Sequence, residues 1–358
     1  MKVLHIIPTL GSGGAEKMLV DLVEELHTKN VVCEVAVLTK TNDFFGSKLQ
    51  HLCVEIYYSS SSKIYSLKNI SFLRTVIQYG NYDYIHTHLF APQLFTPIAL
   101  KLARKSSTPL ITTEHSTSNR RRNSKKFYAI DYWMYQQYAK VIAITNETKY
   151  YLNAYLPNTK QKTVVVENGI QISQYANATT IQKSAIDSTI SDHERIVVMV
   201  AAMREQKDHE TLIRASHLLP ENYRVVFVGD GERMAEVKQY AEDYGRKSIL
   251  FLGSRADVPN ILKASDVFVL SSKWEGFGLV AVEAAAAGLP VVASDVAGLS
   301  GVVQQIGGQV FEPFNEEDLA SKIVEALQHK RECYDVSAYA IEQTAQKYLE
   351  IYQDLLKD

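Results

Sequence analysis

The chain has 358 residues, 46% of them hydrophobic and 22% charged, with a formal net charge of −2. These figures fit a globular protein of two ordinary domains and exclude a disordered or fibrous chain. A near-neutral charge also argues against nucleic acid as a partner.

Val3-Leu4-His5-Ile6-Ile7 reads as a first buried strand. This apolar opening is too short for a signal-peptide core, and no later run approaches transmembrane length. Gly11-Ser12-Gly13-Gly14 forms a loop, and residues 15–27 a helix with Met18, Leu19, Leu22, Val23 and Leu26 on one face. Residues 31–38 form a second strand, and further strands are expected at 84–86, 110–112, 141–144 and 164–166, with helices between. Polar residues from Ser173 to His193 interrupt the pattern and read as a linker with a surface insertion. Strands then resume at 196–200, 225–228, 249–252, 267–270 and 291–293. Two such blocks imply two doubly wound α/β domains with a cleft between them. A last helix, about 337–357, carries Ile341, Ala345, Tyr348, Leu349, Tyr352, Leu355 and Leu356 at helical spacing. The expected divisions are 1–172, 173–336 and 337–358. Cys33, Cys53 and Cys333 are an odd set without metal-ligand spacing, which fits a reducing, cytoplasmic compartment.

The stretch Glu275-Gly276-Phe277-Gly278-Leu279-Val280-Ala281-Val282-Glu283 is the most informative in the chain. It follows the strand Val267-Phe268-Val269-Leu270 and leads into the alanine-rich helix closed by Gly288-Leu289-Pro290. Glu275 therefore sits at the carboxyl end of a parallel strand, where open α/β sheets bind ligands. Gly276 and Gly278 allow close backbone approach, and a helix N-terminus there favours an anion. Two carboxylates around a phosphate site suit a sugar nucleotide, with hydroxyls donating to Glu275 and Glu283 and backbone amides holding the diphosphate.

Glu-Gly-Phe-Gly-Leu with a second Glu eight positions after the first resembles the retaining glycosyltransferases of family 4, and the likeness spans nearly the whole chain. It implies the GT-B architecture, two facing Rossmann-like domains, with the final helix crossing back onto the N-terminal domain. Lys207 resembles the family lysine that pairs with the donor diphosphate, and His115 the strand-end histidine near the donor sugar. The arginine usual five positions before that lysine is replaced by Ala202, so Arg204 is expected to supply the second cation. Two cations suit a UDP or GDP leaving group, because negative charge grows on the β-phosphate as the glycosidic bond breaks. Lys207 lies on a surface loop in this reading, where it would contribute little to folding. Gly13 and Gly14, in a Gly-Gly-x-Glu loop ending at Glu16, resemble the loop bordering donor phosphates or acceptor; a plain structural turn is the other reading. Gly229-Asp230-Gly231 reads equally as a nucleotide-side loop or a turn. Arg255 falls in a segment that lines the base pocket in similar proteins. Asn168-Gly169-Ile170 resembles the turn before the interdomain linker, with Gln171 in place of the usual Asp. Gly301 stands where relatives often carry Glu.

His86 and His88 resemble inner-strand histidines of the same cleft. A His-x-His pair also suits a metal, but no third ligand is apparent in the sequence. The chain has no Asp-x-Asp motif, so no metal and no other cofactor is expected. Arg120-Arg121-Arg122-Asn123-Ser124-Lys125-Lys126, followed by Phe127, Tyr128, Tyr132 and Trp133, suits an anionic membrane surface or a polyprenyl-diphosphate-linked acceptor. The expected activity is retaining, metal-independent transfer from a UDP- or GDP-sugar to a glycan or lipid-linked acceptor, in cell-surface polysaccharide synthesis at the inner membrane face. Similar enzymes react on one face, the leaving phosphate assisting acceptor deprotonation, so no protein nucleophile is nominated. Two alternatives stay open. One is a sugar-nucleotide epimerase of the same architecture. The other is a nicotinamide oxidoreductase, disfavoured because Leu38-Thr39-Lys40 lacks the acidic residue for the ribose.

Overall fold

The computed structural model describes residues 1–41, 43–117, 120–246, 249–328 and 334–355, without the side chains of Arg120 and Asn123. Cys333 and Leu356 lie outside the described residues. The chain forms two compact units, Met1–Gly169 with Ile341–Asp358, and Ile170–Ala340.

Among the described residues, the first unit holds seven parallel strands: β1 (Lys2–Ile7), β2 (Val32–Val37), β3 (Glu55–Tyr58), β4 (Tyr84–His88), β5 (Leu110–Glu114), β6 (Lys140–Ala143) and β7 (Thr163–Val165). Their order is β3-β2-β1-β4-β5-β6-β7. Val3, Leu4, Ile6 and Ile7 are wholly buried, as a parallel strand covered on both faces requires. The second unit holds β8 (Arg195–Val200), β9 (Tyr223–Val228), β10 (Leu250–Phe251), β11 (Val267–Leu270), β12 (Val291–Ser294) and β13 (Gln309–Phe311), in the order β10-β9-β8-β11-β12-β13.

Both sheets follow one rule. The first strand of each unit lies between its second and its fourth, so the winding reverses there. At that point successive connections leave in opposite directions and open a crevice at the strands' carboxyl ends. The pairing of β1 with β4 aligns His5 with His86, and that of β8 with β11 aligns Val198 with Phe268.

Some elements escape the sequence pattern. The edge strands β3 and β13 are short and only half-buried for the most part, so no continuous apolar run marks them. Residues 173–193 are no loose insertion. They include the helices Ile172–Ala176 and Lys183–Ile186, with Tyr175, Ile186 and Ile190 buried in the second unit. Lys183 Nζ reaches Asp266 at 2.8 Å. Their apolar residues are too sparse to give a periodic signal.

The helix Ile341–Asp354 belongs to the first unit, where it packs against the helix Gly14–Thr28. It buries Ile341, Ala345, Tyr348 and Tyr352 completely. Its tyrosine hydroxyls end in polar contacts: that of Tyr352 meets His86 Nδ1 at 2.6 Å, and that of Tyr348 meets Thr113 Oγ1 at 3.1 Å.

Gly229 ends β9 with φ +136°, and a Cβ there would collide with the carbonyl oxygen of Ala201, which is backbone and cannot swing aside. Gly229→Ala should therefore cost about 3 kcal/mol of stability, summing dihedral strain and overpacking. Urea denaturation reads this directly, and an unchanged midpoint would contradict the close approach of these two loops.

Candidate active site

In the second unit the functional side chains come from the two strands at the reversal. After β8 the chain runs through buried Met203 to a single turn, Glu205–Lys207. The turn ends at Asp208, whose φ of 46° is left-handed for a residue with a Cβ. Such strain persists only where surrounding contacts hold it. Thr211 Oγ1 donates to Asp208 Oδ2 at 2.6 Å, and Ser271 Oγ donates to the Asp208 carbonyl at 2.8 Å.

The loop after β11 is stitched to this turn. Lys273 N donates to the Gln206 carbonyl at 2.8 Å, and Gln206 Nε2 to the Trp274 carbonyl at 2.8 Å. The stitching brings Lys207 Nζ onto Glu275 Oε1, which also accepts from Ser272 Oγ at 2.7 Å. Lys207 is thus no surface lysine. Its side chain is 18% exposed and that of Glu275 only 7%. Sequence reasoning gave these two residues separate tasks; the fold pairs them.

Gly276 and buried Phe277 lead to Gly278, whose φ of +84° ends the loop and caps the helix Leu279–Ala286. Phe277 packs edge-on against Tyr339, with ring centres 5.5 Å apart. Leu279 and Glu283 are buried on this helix. Asp230 caps its own turn by accepting from Gly231 N at 2.7 Å, while Met203 N donates to the Asp230 carbonyl at 3.1 Å. Two expected ligand contacts stand apart. Arg255 is held by Asp257 through two hydrogen bonds of 2.7 and 2.6 Å, and Arg204 is exposed with no ion pair among the described residues.

In the first unit, Gly13 stands before the helix Gly14–Thr28, where the Glu16 carboxylate folds back and accepts from Thr9 Oγ1 at 3.0 Å. Beside this loop's strand lies a histidine cluster. His5, His86 and His88 are wholly buried and bring one ring nitrogen each within 4.8 Å of one another. His5 Nδ1 lies 3.2 Å from His88 Nε2, and His88 Nδ1 lies 3.1 Å from His115 Nε2. The sequence reading found no third residue for the His86–His88 pair. Strand order supplies His5, and only the register of β1 on β4 could have revealed it. Leu89, next to His88, is another non-glycine residue with positive φ, at 65°.

The basic run needs correcting. The run was expected to face an anionic membrane surface or a lipid-linked acceptor, but Arg121 and Arg122 turn inward, with side chains 12% and 10% exposed. Arg121 stacks on Phe90 at 3.3 Å and lies 3.7 Å from Asp131; Arg122 lies 3.5 Å from Glu114, which also accepts from the Tyr135 hydroxyl. Burial raises the Glu114 and Asp131 carboxyls, against the opposing pull of these arginines. What faces outward instead is the helix Lys125–Gln136, with Lys125, Lys126, Phe127, Tyr128, Ile130, Tyr132 and Trp133 exposed. The Arg120 side chain lies outside the described residues.

The histidines set an acid limit. Burial lowers His5 to about 3 and His115 to about 4, and holds His86 and His88 well below the usual range. His209, buried in the second unit, falls to about 4. The unfolded chain protonates these rings near pH ~6.5, so below that value it binds more protons than the folded chain. Stability should therefore fall as pH drops from 6.5 toward 4, by up to about 1.4 kcal/mol per pH unit for each ring. Glu114 and Asp131 act in the opposite sense and reduce the slope. Asp266, whose carboxyl is lowered by Lys183 and Arg195 against its burial, matters only below the carboxylate range. Urea denaturation at pH 7.5, 6 and 5 should show falling stability; equal stability at all three would contradict the buried neutral rings.

Comparison with known proteins agrees with this layout. Residues 12–174 match the family described as Glycosyltransferase Family 4, and residues 181–343 match Glycosyl transferases group 1. The Escherichia coli UDP-Gal:alpha-D-GlcNAc-diphosphoundecaprenol alpha-1,3-galactosyltransferase is 31% identical over 285 residues, which is 75% of this chain and 72% of that protein. The N-acetyl-alpha-D-glucosaminyl L-malate synthase of Bacillus anthracis is 25% identical, with 82% and 80% covered. Anabaena HepE, solved with UDP and glucose, shares the fold at a TM-score of 0.79 and 22% identity, covering 100% of this chain and 98% of its own. A Rickettsia africae glycosyltransferase does so at 0.80 and 22%, covering 100% and 99%. The chain belongs to the group 1 glycosyltransferases and has the two Rossmann-like α/β domains of the GT-B architecture.

Proposed function

We propose that this chain is a retaining, metal-independent transferase that moves a sugar from a UDP- or GDP-sugar to a glycan or polyprenyl-diphosphate-linked acceptor, in polysaccharide synthesis. The observation that carries this reading is the convergence of Lys207, Ser272 and Glu275 at the β8–β11 edge, beside the glycine-capped helix that bears Glu283. A diphosphate placed there meets backbone amides and one cation, and Lys207 would be drawn from Glu275 toward the departing β-phosphate. Glu275 then serves the donor sugar's hydroxyls and Glu283 the ribose. The first unit presents the acceptor, with His115 at the sugar. The Escherichia coli relative is named for a UDP-galactose donor and a diphosphoundecaprenol-linked acceptor, and HepE was solved with UDP, which supports the same classes here.

Glu283→Gln should weaken UDP or GDP binding by about 1.5–3 kcal/mol in calorimetry, since a charge-assisted acceptor is lost from the ribose. Unchanged affinity for both nucleotides would discard that role. Lys207→Ala should lower transfer on the order of 100-fold. It should also cost up to about 3 kcal/mol of stability by taking the cation away from the buried Glu275 carboxylate. Adding Glu275→Gln should recover stability but not rate, which separates folding from chemistry. A single variant with wild-type turnover would remove Lys207 from the mechanism.

Peripheral membrane contact moves, in this reading, from the inward arginines to the helix Lys125–Gln136. Its exposed aromatics suit the headgroup region, and Lys125 and Lys126 would each add about 1 kcal/mol at an anionic bilayer. No helix among the described residues is long and apolar enough to cross a membrane. Replacing Tyr132 and Trp133 with Ser, and both lysines with Gln, should abolish flotation with anionic liposomes at low salt while UDP affinity holds. Wild-type protein that ignores such liposomes would end the membrane proposal and leave the transferase assignment intact.

A further inference from the structure

His88 uses both ring nitrogens, one toward His5 and one toward His115, at 3.2 and 3.1 Å. Each of these nitrogen pairs can hold only one proton between them. A neutral imidazole carries one N–H, so His88 must donate in one direction and accept from the other. The proton positions of the three rings are therefore locked together. Two collective states exist: every ring protonated on Nδ1, or every ring protonated on Nε2.

The far end of the chain decides between them. Among the described residues, His5 Nε2 is buried with no hydrogen-bond partner. In the second state it would be a buried N–H without an acceptor, the rarer and costlier kind of orphan. In the first state it is a bare lone pair. We propose that His5 and His88 act as positioning residues that lock His115 with its proton on Nδ1, so that this neutral ring meets substrate as a hydrogen-bond donor. The proposal rests on the reading that His115 faces the sugar. The free histidine side chain favours the Nε2 proton, so three Nδ1–H rings are a distinctive state and not a default.

A shared metal ion is the competing use of the cluster, and the geometry opposes it. Both nitrogens of His86 are engaged, Nδ1 with the Tyr352 hydroxyl at 2.6 Å and Nε2 with Thr113 Oγ1 at 2.8 Å. The His86 and His88 rings stack at 4.6 Å and 13°, and His5 and His86 at 5.4 Å and 25°. Lone pairs lie in the ring planes, so those of stacked rings run side by side and do not converge on one ion.

The test is long-range 1H–15N correlation on the full chain, labelled at histidine, at pH 7.5. Single His→Gln variants assign the rings. His5, His88 and His115 should each show a protonated Nδ1 and an unprotonated Nε2. An Nε2–H form at any of the three overturns the proposal. So does a joint shift of His5, His86 and His88 on adding zinc chloride, which would mark a metal site. His5→Asn and His5→Asp then test the coupling with near-identical shapes. The amide N–H of Asn should keep the His115 proton on Nδ1. An ionised Asp carboxylate only accepts, so it should reverse both hydrogen bonds and move that proton to Nε2. A His115 spectrum indifferent to both changes would reduce His5 to packing, and the wild-type spectrum decides the matter if Asp prevents folding. None of these readings needs a substrate, so they can fail while the transferase assignment stands, and the reverse.

Discussion

A parallel sheet that reverses its winding after the first strand cannot close its carboxyl edge at that point, because the connections on either side leave for opposite faces. This chain meets that constraint twice, at β1–β4 and at β8–β11. Each reversal is where chemistry-bearing side chains collect. At the first, histidines from both strands meet in the core and run out to His115. At the second, a cation and a carboxylate from the two following loops form a largely buried pair. Topology, more than local sequence, brings these residues together.

Burial gives both clusters their character. Charge in a low-dielectric setting is costly unless paired, so the histidines stay neutral and Lys207 stays on Glu275. A buried pair of this kind is weak evidence of stability, because its attraction mostly offsets desolvation. On the proposed function it is a poised arrangement, in which an arriving diphosphate would offer Lys207 a second anion. Positive φ at Leu89 and at Asp208 marks the chain beside His88 and Lys207. Strain at these two places, held by packing and by the Thr211 and Ser271 bonds, belongs with pre-organised loops.

The central strands and the glutamate stretch were legible because they follow local rules. Parallel strands covered on both sides read as apolar runs, and Gly278 announces a helix start with φ that only glycine adopts easily. What lay hidden depends on contacts between distant positions. His5 looks like one polar residue in an apolar strand until β4 lies beside it. Lys207 looks like a loop lysine until Gln206 is tied to the β11 loop. The arginines resemble a solvated run, because nothing local says that Phe90, Glu114 and Asp131 will receive two of them. Edge strands β3 and β13 were missed for the opposite reason, since half-burial leaves too weak a pattern.

The central claim is that the β8–β11 reversal is the donor site. A crystal structure of the full chain with uridine diphosphate tests it most directly. The expected result is a diphosphate at the N-terminus of the helix Leu279–Ala286, with Lys207 Nζ turned from Glu275 onto it and the ribose on Glu283. Nucleotide bound elsewhere, or bound there with the Lys207–Glu275 pair intact and Glu283 untouched, would contradict it.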